Sequence, residues 1–153
     1  MRKSKFKTKP GQIDYTNAQW APVINCVVRY KNKILVVQRS KKLKFYPGYW
    51  NGISGFLDDK RSLEQNVKDE LREEVGLGAG QIKRVRLGGI FHEEAPRYKK
   101  TWIVHPVLVE VITNKVKLDW EAENYKWVTL RQVRRLKLMP GFGRVLEKVG
   151  GLK

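Results

Sequence analysis

Glu70, Glu73 and Glu74 stand at i, i+3 and i+4. On a helix of 3.6 residues per turn that spacing sends all three carboxylates to one side. Like charges so placed destabilise a helix by some tenths of a kcal/mol per pair, so the pattern calls for a compensating cation. Mg²⁺ suits it: a hard ion that prefers oxygen ligands, takes few carboxylates and leaves positions for water and phosphate oxygens. Such an ion offsets charge on a polyphosphate and can activate the attacking water. The spacing alone fits equally a solvated glutamate face balanced by Lys68 and Arg72.

The elements that must carry these residues follow from periodicity. Leu63, Val67, Leu71 and Val75 recur every four residues behind a capping-box pattern of Ser62 and Gln65, and Gly76 supplies a left-handed terminus. A helix is expected over 62–75. Upstream, the β-branched runs Val23–Tyr30 and Ile34–Gln38, joined at Lys31-Asn32, predict a hairpin. Ser40–Ser54 is expected as a loop rich in aromatics. Strands are expected at Val85–Phe91, Trp102–Ile112 and Tyr125–Val128, with a basic loop Arg97–Lys100 and helical pieces at Leu130–Leu138 and Phe142–Val149. Mixed strands and few helices indicate an α/β fold.

The 153 residues suit one domain, assigned to 13–153, preceded by a flexible basic arm at 1–12 that holds five bases and no acid. A net charge of +17, from 32 Lys and Arg against 15 Asp and Glu, points to anionic partners such as nucleotides or nucleic acid. A basic surface serving solubility alone is the competing reading. The single Cys26 excludes an internal disulfide and a cysteine-rich metal site, and it lies in an apolar strand pattern. No run of about 18 apolar residues and no secretory segment is present, so a cytoplasmic protein without a membrane partner is expected. The oligomeric state stays open, a homodimer included.

The segment from Gly55 to Leu77 resembles the Nudix box, G-x5-E-x7-R-E-U-x-E-E-x-G-U, where U is a large aliphatic residue. Gly55, Glu70, Leu71, Glu73, Glu74, Gly76 and Leu77 occupy seven of its nine fixed positions. The other two are exchanged: Arg61 stands where the family has glutamate and Asp69 where it has arginine. Such an exchange would keep a structural ion pair with reversed polarity. It would lower activity if the family's glutamate contributes to the metal shell. The flanks agree: Ile34–Ser40 followed by Pro47-Gly48-Tyr49-Trp50 looks like the family's strand and substrate loop, and Glu121–Leu130 like its acidic loop and last strand, so the likeness covers about 20–138.

The resemblance implies a Nudix-type α/β/α sandwich with a mixed β-sheet. It implies a pyrophosphohydrolase acting with Mg²⁺ or Mn²⁺ on nucleoside diphosphate derivatives or nucleoside triphosphates. By the same resemblance Glu70, Glu73 and Glu74 are metal ligands, joined by the carbonyl of Ser54. The proton acceptor could be a distant carboxylate, Glu121 before Glu123, Glu93 or Glu94. Diphosphate isomerases of the same fold need a cysteine placed differently from Cys26.

Outside the box, Arg39 could grip a phosphate with its planar fork or serve a surface ion pair. Tyr46, Tyr49 and Trp50 could stack a base or pack the loop. His92 could join a metal site but fits better as a structural histidine. Two other functions compete with a small-nucleotide hydrolase. One is a protein acting on or binding RNA 5′ ends, through the arm and a stripe of Arg131, Arg134, Arg135 and Lys137 expected on one helix face. The other is a nucleotide-binding module weakened by Arg61.

Overall fold

Two long strands make the spine of the protein, and their alternation explains the layers. In the computed structural model, which describes residues 15, 17–57 and 60–152, β1 (Trp20–Tyr30) runs parallel to a late strand, Lys100–Val111, over ten paired positions. Ile24, Cys26 and Val28 of β1 enter one core and Ala21 and Val27 another, because successive strand side chains point to opposite faces. The arm expected at 1–12 lies outside the described residues.

β2 (Lys33–Arg39) turns back from β1 at Lys31, whose φ of 55° is left-handed, and pairs with its second half. The segment expected as pure loop contains two short strands, β3 (Trp50–Asn51) on β2 and β4 (Ile53–Phe56) on the first half of β1. Pairing with a neighbouring strand, not local propensity, makes them extended. The strand expected at Val85–Phe91 is divided into β5 (Ile82–Leu87) and β6 (Phe91–Ala95). The break falls at Gly88-Gly89, where a Cβ on Gly88 would meet the Lys148 carbonyl at 2.6 Å. β5 and β6 pair with successive halves of β7 (Lys100–Val111), and β8 (Ala122–Val128) pairs with β2. All eight strands form one mixed sheet.

One face of that sheet is covered by α1 (Leu63–Val75). Its start is capped by Ser62, whose hydroxyl accepts the Gln65 N–H at 3.1 Å, and its end by Gly76 at φ 72°. The Leu77 N–H reaches back to the Leu71 carbonyl, a Schellman closure. Val67, Leu71, Val75 and Leu77 are fully buried against Ile24, Cys26, Val37 and Val107; each contributes about 1.5–3 kcal/mol of burial. The other face is covered by α3 (Phe142–Val149), which buries Phe142, Val145 and Val149. The protein is therefore an α/β/α sandwich. α2 spans only Leu130–Val133; the chain then continues in a tight turn with the Leu136 N–H on the Val133 carbonyl. The basic residues 131–137 thus do not share one helix face, and the expected stripe is replaced by an irregular exposed segment. Among the described residues no helix is long and apolar enough to cross a membrane.

Candidate active site

Glu70 and Glu74 flank the apolar stripe of α1, so the packing that buries Val67 and Leu71 carries both carboxylates under cover, at 9% and 5% exposure. Glu73, one position around the helix, is turned outward and pairs with Arg72 at 3.7 Å. The structure thus brings together two of the three box glutamates and sets the third at the rim.

The seat of Glu70 is Gly55 on β4. A Cβ there would lie 2.5 to 2.9 Å from the Glu70 carboxyl atoms, so only glycine lets the strand pass this close. Ser54, just before it, sits opposite Asn25 of β1 and accepts the Asn51 amide at 3.2 Å through its hydroxyl.

Glu74 is met from the other side by the loop into β8. Its carbonyl accepts the Asp119 N–H at 3.1 Å; Asp119 Oδ1 accepts the Glu121 N–H at 2.9 Å; the Glu121 carbonyl accepts the Ser40 N–H at 2.9 Å. This chain of bonds ties α1 to the end of β2. Burial, followed by the charges of Glu121 and Glu70, pushes the Glu74 carboxyl well above its ordinary 4.5, with Arg39 opposing. Cys26 lies beneath; burial and then Glu70 and Glu74 raise its thiol well above 9.0. At neutral pH it is a protonated core residue, not a nucleophile.

Arg39 closes β2. Its Nε donates to the Phe45 carbonyl at 2.9 Å, while its backbone bonds both Gly48 and Tyr49. Burial lowers its pKa from the ordinary arginine value, and Glu74 and Glu121 push it back up. The guanidinium therefore lies near Glu74 and Glu121, at the start of the loop 40–49. Within that loop Tyr46 is buried and left-handed at φ 51°, its N–H held by the Tyr98 hydroxyl at 2.9 Å. Trp50 is 8% exposed, with Lys126 Nζ 5.2 Å from its ring centre, so it belongs to the core. Of the three aromatics, Tyr49 alone is half-buried, with Lys137 Nζ 4.3 Å from its ring centre.

Arg61 donates to Asp69, binding the loop to the helix. Burial raises the Asp69 carboxyl, but the hydrogen bond from Gln65 at 2.9 Å and the Arg61 pair outweigh it and hold it below 3.8. Buried Asn66 reinforces the junction through the carbonyls of Arg61 and Ser62. The remaining candidates are engaged elsewhere: Glu93 pairs with Arg144 of α3 at 3.4 Å, His92 meets Trp20 edge-on, and Glu94 and Glu123 are exposed on their strands. Asp119 and the half-exposed Trp120 beside it were not foreseen. The bond to the Glu74 carbonyl brings that loop to the site.

Do these residues fit a divalent cation? Glu74 Oε2 is buried and has no hydrogen-bond partner, a costly condition for a carboxylate oxygen unless a cation completes it. Among the described residues, no group of three or more His, Cys, Asp and Glu side chains could hold a metal ion by themselves. Mg²⁺ does not ask for such a cage, since it binds through one or two carboxylates with waters and substrate phosphates supplying the rest. The all-oxygen pair Glu70 and Glu74 fits that open arrangement.

Comparison with known proteins agrees with the architecture. Residues 20–149 match the family model described as NUDIX domain. An uncharacterized Nudix hydrolase of Bacillus subtilis, YvcI, is 23% identical over 128 residues, 82% of this chain and 76% of the relative. The NUDIX domain of Shewanella oneidensis NrtR, solved with ADP ribose, superposes with a TM-score of 0.72 at 18% identity, over 84% of this chain and 85% of that one. A MutT NUDIX hydrolase from Burkholderia pseudomallei gives 0.71 at 18% identity, over 86% and 99%.

Proposed function

The chain belongs to the NUDIX domain family and is a Nudix-type pyrophosphohydrolase, and from that premise we propose that it hydrolyses phosphoanhydride bonds of nucleoside diphosphate derivatives or nucleoside triphosphates with Mg²⁺ or Mn²⁺. The observation that carries the metal dependence is the buried, unpartnered oxygen of Glu74 beside Glu70 and Glu121. The Shewanella domain, complexed with ADP ribose, supports a substrate in which a nucleoside diphosphate bears a further group.

Glu70 and Glu74 would hold the ion, with the Ser54 carbonyl beside them and Glu73 reaching in from the rim. When bound, the ion offsets phosphate charge and makes water a better nucleophile. Glu121 is the residue to accept the water's proton. Its backbone is bonded to Asp119, which bonds Glu74, and to Ser40, and it stands outside the pair that would bind the ion. Arg39 neutralises a phosphate oxygen from the opposite wall, and Tyr49 offers its ring to the base. Arg61 and Asp69 steady the loop that leads from β4, with Gly55, to α1. Nucleotide polyphosphates and a reduced lone thiol both belong to the cytoplasm, and this reading places the protein there.

The test is release of phosphate or nucleoside monophosphate from a panel of nucleotide sugars, dinucleoside polyphosphates and triphosphates, with and without metal. Metal-dependent turnover abolished by Glu74→Gln is expected. No release from any member of the panel would overturn the reading.

A further inference from the structure

Tyr46, in the loop after β2, and Lys99, in the turn between β6 and β7, have left-handed backbone at φ 51° and 54° and flank a single contact. That conformation is unfavourable for a residue with a Cβ and persists only where the surroundings enforce it. At Tyr46 three contacts do so. Its N–H donates to the Tyr98 hydroxyl at 2.9 Å, its own hydroxyl accepts the Trp102 indole N–H at 3.3 Å, and its ring meets that of Tyr98 edge-on at 4.9 Å.

The peptide between Phe45 and Tyr46 is held at both ends. Its N–H is the one bound by Tyr98, and its carbonyl, that of Phe45, accepts the Arg39 Nε–H at 2.9 Å. One planar group therefore links a hydroxyl on the β6–β7 turn to the guanidinium at the end of β2. Rotating that peptide breaks both bonds together. Among the described residues the guanidinium donates through Nε alone, which leaves its terminal nitrogens available to a ligand's oxygens.

The post that holds the peptide is itself anchored. Pro96 opens the turn, and Lys100, buried just after it, donates from Nζ to the carbonyls of Tyr15 and Ala18 while lying 5.6 Å from the Phe45 ring centre. Phe45 also meets the Tyr98 ring edge-on at 5.1 Å. Tyr98 is thus set by the β6–β7 turn, and the loop 40–49 takes its place against it.

We propose that Tyr98 is a positioning residue for Arg39: its hydroxyl fixes the Phe45–Tyr46 peptide, and that peptide aims the guanidinium. That the aimed group meets a phosphate rests on the phosphoanhydride-hydrolase reading; the link from Tyr98 to Arg39 does not.

Tyr98→Phe keeps the ring and its packing and removes the hydroxyl alone. Exchange of the Arg39 Nε proton with water is followed by ¹⁵N NMR on the metal-free full chain, the resonance being assigned by its loss in Arg39→Lys. In Tyr98→Phe it should quicken by about tenfold or more, with the melting temperature within about 3 °C of the unaltered protein. For the nucleotide of the panel that is cleaved fastest, KM should rise roughly five- to tenfold while kcat changes by less than about twofold, the pattern of a lost binding contact. Arg39→Lys keeps the charge but lacks the Nε donor, so adding Tyr98→Phe to it should raise KM no further. A merely structural role for Tyr98 would cost the same in either background. The proposal is overturned if Nε exchange is unchanged in Tyr98→Phe, if KM does not rise, or if it rises equally with and without Arg39→Lys. If no nucleotide of the panel is cleaved, the hydrolase reading alone fails, and the exchange rate still decides whether Tyr98 holds Arg39.

Discussion

Arg61 and Asp69 pair across the junction of loop and helix, with the guanidinium on the loop and the carboxylate on α1. Asp69 is nearly covered, so leaving it without Arg61 strands a charge that water reaches poorly. Arg61→Ala is expected to cost about 1–2 kcal/mol, tempered by the partial exposure of the arginine. The double reversal Arg61→Asp with Asp69→Arg should recover about 1 kcal/mol relative to the sum of its single changes. Urea denaturation of the four proteins gives the coupling directly, and strict additivity would show that the pair does not hold the junction.

The three box glutamates should not be equivalent. Glu70→Gln and Glu74→Gln keep the shape of the site and remove charge where a cation is needed, so kcat should fall by about 10²–10³-fold. Glu73 stands at the rim beside Arg72, and Glu73→Gln is expected to cost less, about tenfold at most. Equal losses at all three positions would mean that the helix rotates or the rim closes when substrate binds.

Glycines 52 and 55 are both close-packed but against different things. On Gly55 a methyl group meets the carboxyl end of Glu70, which can swing away. Gly55→Ala should therefore displace that ligand, lowering metal affinity with little loss of stability. On Gly52 it meets the Cys26 carbonyl at 2.6 Å and Phe142 at 2.9 Å, and a backbone carbonyl cannot swing. Gly52→Ala should cost roughly 1–3 kcal/mol. Metal titration and thermal melting of the two variants separate the effects.

Stability should depend on pH in a way that metal reverses. Glu74 has its carboxyl raised above 4.5, so the folded protein binds that proton more tightly than the unfolded chain. As pH rises through the window from about 4.5 to the raised value, the unfolded state has lost the proton and the folded state has not, so stability falls. Asp69 and Glu110 have lowered values and act in the opposite sense, but below that window. The metal-free protein should melt at a lower temperature at pH 8 than at pH 5. Added Mg²⁺ should raise the melting temperature more at pH 8. A melting temperature that rises across this range, or a metal effect equal at both ends, would contradict the assignment.

Much of the site was legible because the signals are local. The cap at Ser62, the four-residue stripe and Gly76 define α1 within one stretch of chain, and the positions of Glu70, Glu73 and Glu74 follow from its pitch. The complementary exchange of Arg61 and Asp69 could be read as a pair because the box already relates the two positions. The sequence leaves Trp50 open between stacking a base and packing the loop, since nothing in its neighbours announces that Lys126 and the 136–139 segment close over it. The same holds for β3 and β4, which no propensity marks, and for residues 134–137, whose helical spacing is cancelled by the turn after Val133.

By itself the sequence determined the carboxylate helix, the box and the sign of the surface charge, since these depend on residue type and on spacing within a few turns of chain. The tertiary structure decided which carboxylates are buried and which loop reaches them: Glu74 beside Asp119 and Glu121, Glu70 over Gly55, and Arg39 near Glu74. Those relations join residues far apart in the chain through sheet register and close packing, and only the folded sheet brings these groups to one place.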